Sequence, residues 1–266
     1  MSRIKYKFDA LKKAKKKGFV AYIMACDPNE KVTAELLEKL PAAGVDLIEL
    51  GMPFSDPMAE GPTIQRAAER ALKNVSDINK VLQLVKNFRK KDTTTPIVLM
   101  GYYNPVFVYG CEVFCKTAAA AGVDGAIIVD LPPEEENEFT KFSVKNDIDL
   151  IKLTTPTTDA VRAKKILKNA SGFVYYISVT GVTGVKVAVA KQVGTAVKAL
   201  KKNTDMPICI GFGIKTPETA KELSKLADGI VIGSAFINIL EKNLKNGKKS
   251  VADCVKFAKE IRKAID

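Results

Sequence analysis

Two carboxylates in the stretch VDLIELGMPFSDPMAEGPT, residues 45–63, are placed to move protons. Glu49 stands one residue from the end of Val45–Leu50, a run with the apolar density of a buried parallel strand, and Glu60 follows in a Pro/Gly-rich loop segment. A carboxyl group held among apolar side chains resists ionisation, which suits it to exchange a proton near neutral pH. The plain alternative is a strand-end acid paired with a lysine or a backbone amide. Asp130, closing the apolar run 125–130, and Tyr175, inside the run 173–178, are further candidates. The chain has no histidine. Ser-His and Cys-His nucleophilic mechanisms and most zinc sites are thereby excluded, and acid–base work falls to carboxylates, Tyr, Lys or Cys.

A second pattern points to an anion. GVTG at 181–184, GFGI at 211–214 and GSA at 233–235 each follow an apolar run, and the last opens a helical pattern at Ser234. Backbone amides at such turns and at a helix N-terminus bind phosphate without a lysine or arginine clamp. One glycine turn is weak evidence, because strand-to-helix loops take glycine for steric reasons; three in successive loops are stronger. Acids on one side and a phosphate cradle on the other imply a small phosphorylated substrate and proton-transfer chemistry without a metal.

These residues need a scaffold that brings strand ends together. Apolar, β-rich runs fall at 19–25, 45–50, 97–101, 125–130, 148–153, 173–178, 207–211 and 229–233, with amphipathic helical patterns between them. Eight alternating units in a chain of 266 residues predict an α/β fold, a (β/α)8 TIM barrel forming a single domain over 1–266. An extra N-terminal helix is expected at about 2–17, and extra helices after strands 2 and 8. An open doubly wound sheet fits less well, since the first turn, ACDPNEK, lacks the glycine fingerprint. In a barrel the site lies at the C-terminal strand ends, where Glu49, Asp130 and the glycine turns fall.

Composition narrows the partners. The net charge is +12, but the lysines recur on helical patterns between apolar positions rather than gathering with aromatics, so a nucleic-acid partner is not expected. No stretch approaches a membrane span, and the N-terminus lacks the apolar core of a secretory signal, so a cytoplasmic location is expected. Five cysteines without a CxxC pair read as reduced, packed thiols.

The segments LIELGMPFSDPMAEGPTIQRA, GYYNPVFVYG, DGAIIVDLPPEE, GVTG, GFGI and IGSA occur in an order and spacing that resembles the tryptophan synthase α subunit family, over essentially the whole chain. The resemblance implies a barrel that cleaves indole-3-glycerol phosphate to indole and glyceraldehyde 3-phosphate without a cofactor of its own. It also implies docking on a pyridoxal-phosphate β subunit, in an αββα heterotetramer. By this resemblance Glu49 matches the general acid/base, and Glu60 occupies the position where the family has Asp. Tyr22 and Tyr175 fall in the surround of the indole, Thr183 and Gly184 in a closing loop, Phe212 among the substrate-binding positions, and Gly213, Gly233 and Ser234 at the phosphate contacts. Asp56, Asn104 and Pro132 fall on the rim that meets the β subunit. Two other readings stand beside this one. Lys152, in LIKLTT, is a strand lysine that could form a Schiff base if it points into the barrel. A catalytically impaired subunit that binds phosphate ligands and activates its partner is the other.

Overall fold

The computed structural model describes residues 2–75, 77–177, 187–211 and 213–266, the side chains of 187–189 excepted. Among them, nine strands pair only in parallel: β1 Gly18–Met24, β2 Leu47–Gly51, β3 Ile97–Gly101, β4 Gly125–Ile128, β5 Asp149–Leu150, β6 Lys152–Thr154, β7 Val174–Ile177, β8 Ile208–Gly211 and β9 Gly229–Ile232. Their order is β5-β4-β3-β2-β1-β9-β8-β7-β6. The expected fifth strand is therefore split at Ile151. Its first half pairs with β4 and its second half with β7, while Ile151 N–H still reaches Ala126 O at 3.0 Å. The two edges of the sheet are consecutive pieces of chain, and the barrel closes through them.

Strand alternation sorts the side chains into two faces. Val20, Leu47, Val98, Ile127, Ile151, Phe173, Cys209 and Val231 form an inner cluster, one residue from each of the eight apolar runs. Their neighbours Ala21, Ile48, Leu99, Ala126 and Ile230 face outward into the helical layer. Helix α1 (Arg3–Lys13) adds Ile4, Phe8 and Leu11 to the inner cluster and so plugs the N-terminal end of the barrel. Each of these three side chains contributes roughly 1.5–3 kcal/mol by leaving water. The expected helix over 2–17 is shorter because the chain turns at Lys15, whose φ is +56°.

The outer layer runs α2 (Glu30–Ala42), α3 (Pro62–Leu72), α4 (Ile78–Arg89), α5 (Tyr103–Tyr109), α6 (Cys111–Ala121), α7 (Asn137–Ser143), α8 (Ala160–Leu167), α9 (Val187–Lys201), α10 (Pro217–Ser224), α11 (Ser234–Lys242) and α12 (Gly247–Ile265). The doubled helices after β2 and β9 agree with expectation. A third doubling, α5 and α6 after β3, does not follow from the helical pattern of residues 111–121; the break falls at Gly110, with φ +91°.

Candidate active site

One layer above the inner cluster, Tyr22, Glu49, Met100, Val129, Leu153 and Tyr175 lie two residues further along the chain, toward the open end, with Val129 just past β4. Register fixes the first pair, with Tyr22 opposite Glu49 on adjacent strands. Because Leu47 faces inward, so must Glu49, two residues on. Glu49 is 1% exposed, and neither carboxyl oxygen has a hydrogen-bond partner among the described residues. Among the described residues no lysine or amide pairs with this acid. Burial, and then the nearby Glu60, push its pKa up from 4.5 to about 8, so at neutral pH it carries a proton it can donate.

Glu60 lies in the loop between β2 and α3, and burial raises its pKa as well. The loop is fastened on both sides of it. Gln65 Nε2 donates to Glu60 O at 2.9 Å, Glu60 N–H donates to Pro57 O at 3.1 Å, and Ala59 N–H donates to Tyr102 Oη at 3.0 Å. Tyr102 also packs against Phe54, ring centroids 5.5 Å apart. Tyr102 was not among the expected site residues. Its signal is an aromatic one residue beyond β3, in GYYNP, where a strand end meets the mouth.

The two tyrosines flank the acids. Burial raises the Tyr22 phenol well above its ordinary value, followed by the charges of Glu60 and Glu49, and burial likewise raises Tyr175, followed by Glu49 and Glu60. Each phenol occupies space vacated by a glycine on the next strand. A Cβ at Gly51 would collide with Tyr22 Oη, and one at Gly211 with Tyr175 Oη.

At the far side of the mouth, Gly213 holds φ +84°, a conformation that favours glycine. Gly233 is the N-cap of α11, Ser234 is its first residue, and no side chain caps that turn. The first amides of a helix have no intrahelical acceptor and carry its positive end, so they are free to meet an anion. A Cβ on Gly233 would lie 3.2 Å from Tyr22 Cβ, which places this turn beside the aromatic wall. Thr183, Gly184 and Phe212, with the rest of the 181–184 turn, lie outside the described residues.

Other expectations come apart in space. Asp130 is exposed, and its Oδ1 accepts Tyr103 N–H at 2.7 Å, so it seats the start of α5 instead of entering the mouth. Lys152 faces away from the barrel and ion-pairs with Glu136, both nearly fully buried, while Ile151 and Leu153 point in. This overturns the Schiff-base reading. Asp56, Asn104 and Pro132 are exposed on the loops or helix starts after β2, β3 and β4. All five cysteines are free thiols, and among the described residues no group of three or more His, Cys, Asp or Glu could hold a metal ion. A cleft at the opposite end, between α1 and the N-terminal strand ends, lies away from both acids.

Comparison with known proteins shows the family and the fold. The family profile described as tryptophan synthase alpha chain matches residues 8–266. The structure is similar to tryptophan synthase subunit alpha from Legionella pneumophila str. Paris, with 40% identity over 100% of this chain and 99% of that one, at a TM-score of 0.93. It is similar to a chain of the tryptophan synthase complex from Pyrococcus furiosus, with 34% identity over 92% and 98% of the chains and a TM-score of 0.83. It also matches a chain of tryptophan synthase from M. tuberculosis in an aminoacrylate-bound form, with 27% identity over 100% of both chains and a TM-score of 0.87. The profile match over residues 8–266 and these full-length structural matches lead to one conclusion: the chain belongs to the tryptophan synthase alpha chain family.

Proposed function

We propose that Glu49 and Glu60 together carry out the reaction of this family, the lyase cleavage of indole-3-glycerol phosphate to indole and glyceraldehyde 3-phosphate. The observation that carries the assignment is the buried, inward carboxyl of Glu49, without a hydrogen-bond partner among the described residues and beside a second acid. Protonated Glu49 delivers its proton to indole C3, which turns the ring into a leaving group. The resulting carboxylate takes the proton of the glycerol hydroxyl next to the breaking carbon–carbon bond, which becomes the aldehyde carbonyl, and Glu49 is restored. Glu60 accepts the hydrogen on indole N1 and balances the positive charge that the ring carries between the two steps. Tyr22, Tyr175, Met100 and Leu153 wall the ring. The amides of Gly213, Gly233 and Ser234 hold the phosphate.

The chain needs no cofactor for this chemistry, and its product passes to a β subunit carrying pyridoxal phosphate. Exposed Met58 (77%), Phe107 (58%) and Val108 (77%) stand on the same loops and helix as Asp56 and Asn104, which supports that rim, with Pro132, as the docking face. An αββα heterotetramer in the cytoplasm is the assembly proposed. No helix among the described residues is long and apolar enough to cross a membrane. The test is indole formed from indole-3-glycerol phosphate by the purified chain, with and without the β subunit. Absence of indole in both would refute the assignment.

A further inference from the structure

Helix α3 begins just after Glu60 and helix α11 just after Gly233, so the seating of one helix on the other sets the distance between acid and phosphate turn. The contact between them is a polar seam. Thr63, Arg66 and Arg70 share one stripe of α3, and Asn238 and Glu241 share one of α11. Thr63 Oγ1 lies 3.5 Å from Asn238 Oδ1. Arg66 grips Glu241 through Nε and Nη2 at 2.7 and 2.8 Å. Arg70 reaches Glu241 Oε1 with Nη1 at 3.1 Å, and donates Nε and Nη2 to the two oxygens of Asp27 at 2.7 and 2.9 Å.

Asp27 is fully buried and follows β1 in a turn where Cys26 takes φ +61°. Asn74, just past the end of α3, ties the same turn by donating to Pro28 O at 2.9 Å. Apolar side chains would join two helices at a lower desolvation cost than these charges, so packing alone does not account for the seam. Its geometry does have a use: only a planar guanidinium can hold one carboxylate bidentately and reach a second at the same time.

We infer that Arg70, bridging Asp27 and Glu241, is a positioning residue that locks the Glu60 loop at a fixed separation from the phosphate-binding start of α11. The inference rests on the assignment of Glu60 and α11 to the site. A shift of order 1 Å in that separation lowers turnover by about a hundredfold at the extreme.

The test measures kcat and KM for indole-3-glycerol phosphate, glycerol phosphate affinity by calorimetry, and the urea midpoint. Arg70→Lys and Glu241→Gln should each lower kcat by about tenfold or more and weaken glycerol phosphate binding. Lys91→Gln, which removes an exposed pair with Glu38, should change neither. If Arg70 acts through Glu60, Arg70→Lys should cost much less in a Glu60→Gln background than in the wild type, an outcome that a merely structural role would not produce. Glu241 is partly exposed, so Glu241→Gln breaks the same seam if Arg70→Lys does not fold. Turnover within about twofold of wild type in Glu241→Gln, or an unchanged cost of Arg70→Lys in the double variant, would overturn the inference. Wild-type turnover by Glu60→Gln alone would instead remove the assignment of Glu60, and the inference with it.

Discussion

Replacing Glu49 by Gln should make the protein inactive and, at alkaline pH, more stable. The folded carboxyl titrates at about 8 and the unfolded one at its ordinary 4.5. Between those values the native state holds a proton that the unfolded chain has released, so unfolding becomes easier as pH rises, and the loss levels off above about 8. At about 1.4 kcal/mol per pH unit, the window corresponds to a ceiling of ~5 kcal/mol. Gln has the same size and no proton to lose, so its stability should not follow this slope. The contribution of Glu60 is present in both proteins and largely cancels. Urea unfolding at pH 5 and pH 8.5 should therefore show the variant gaining on wild type by about 3–5 kcal/mol across the window. A 13C carboxyl resonance of Glu49 titrating near 8 gives the same quantity directly. Parallel stability curves, or a resonance titrating below about 5, would refute the claim that burial holds the catalytic proton. Indole release by Glu49→Gln above a few per cent of wild type (~5%) would refute its role in both proton transfers.

The other expectations address the remaining parts of the site. Glu60→Asp should change turnover by up to about a hundredfold in either direction while the urea midpoint hardly moves, and Glu60→Gln should be slower than either acid; wild-type turnover in the Gln variant would make Glu60 a mere loop residue. Gly233→Val should weaken glycerol phosphate binding by about tenfold or more, since even a Cβ there meets Tyr22 at 3.2 Å; unchanged affinity in the folded variant would move the anion site elsewhere. Asp56→Ala should weaken association with the β subunit, measured by titration, more than it weakens substrate binding by the chain alone; equal losses would argue against the rim as an interface.

Much of this molecule is written in local pattern. The eight apolar runs and the amphipathic stretches between them are legible because strand and helix periods are properties of short windows. The absence of histidine left the carboxylates as the leading acid–base candidates before any fold was known. What local pattern could not decide is which way a side chain faces. DLIEL at 46–50 and DLIKL at 149–153 are nearly the same string, yet Glu49 enters the barrel and Lys152 leaves it. In the first string Leu47 is an inner residue; in the second, Leu150 packs outside and Ile151 inside. A strand's alternation fixes only relative facing, and one step of register inverts the whole set. That step is chosen by closure of the barrel, where the fifth run must pair with β4 on one side and β7 on the other. The grip of Tyr102 on Ala59 and the span of Arg70 from Asp27 to Glu241 bring together residues 43 or more positions apart, and only the folded chain places them in contact.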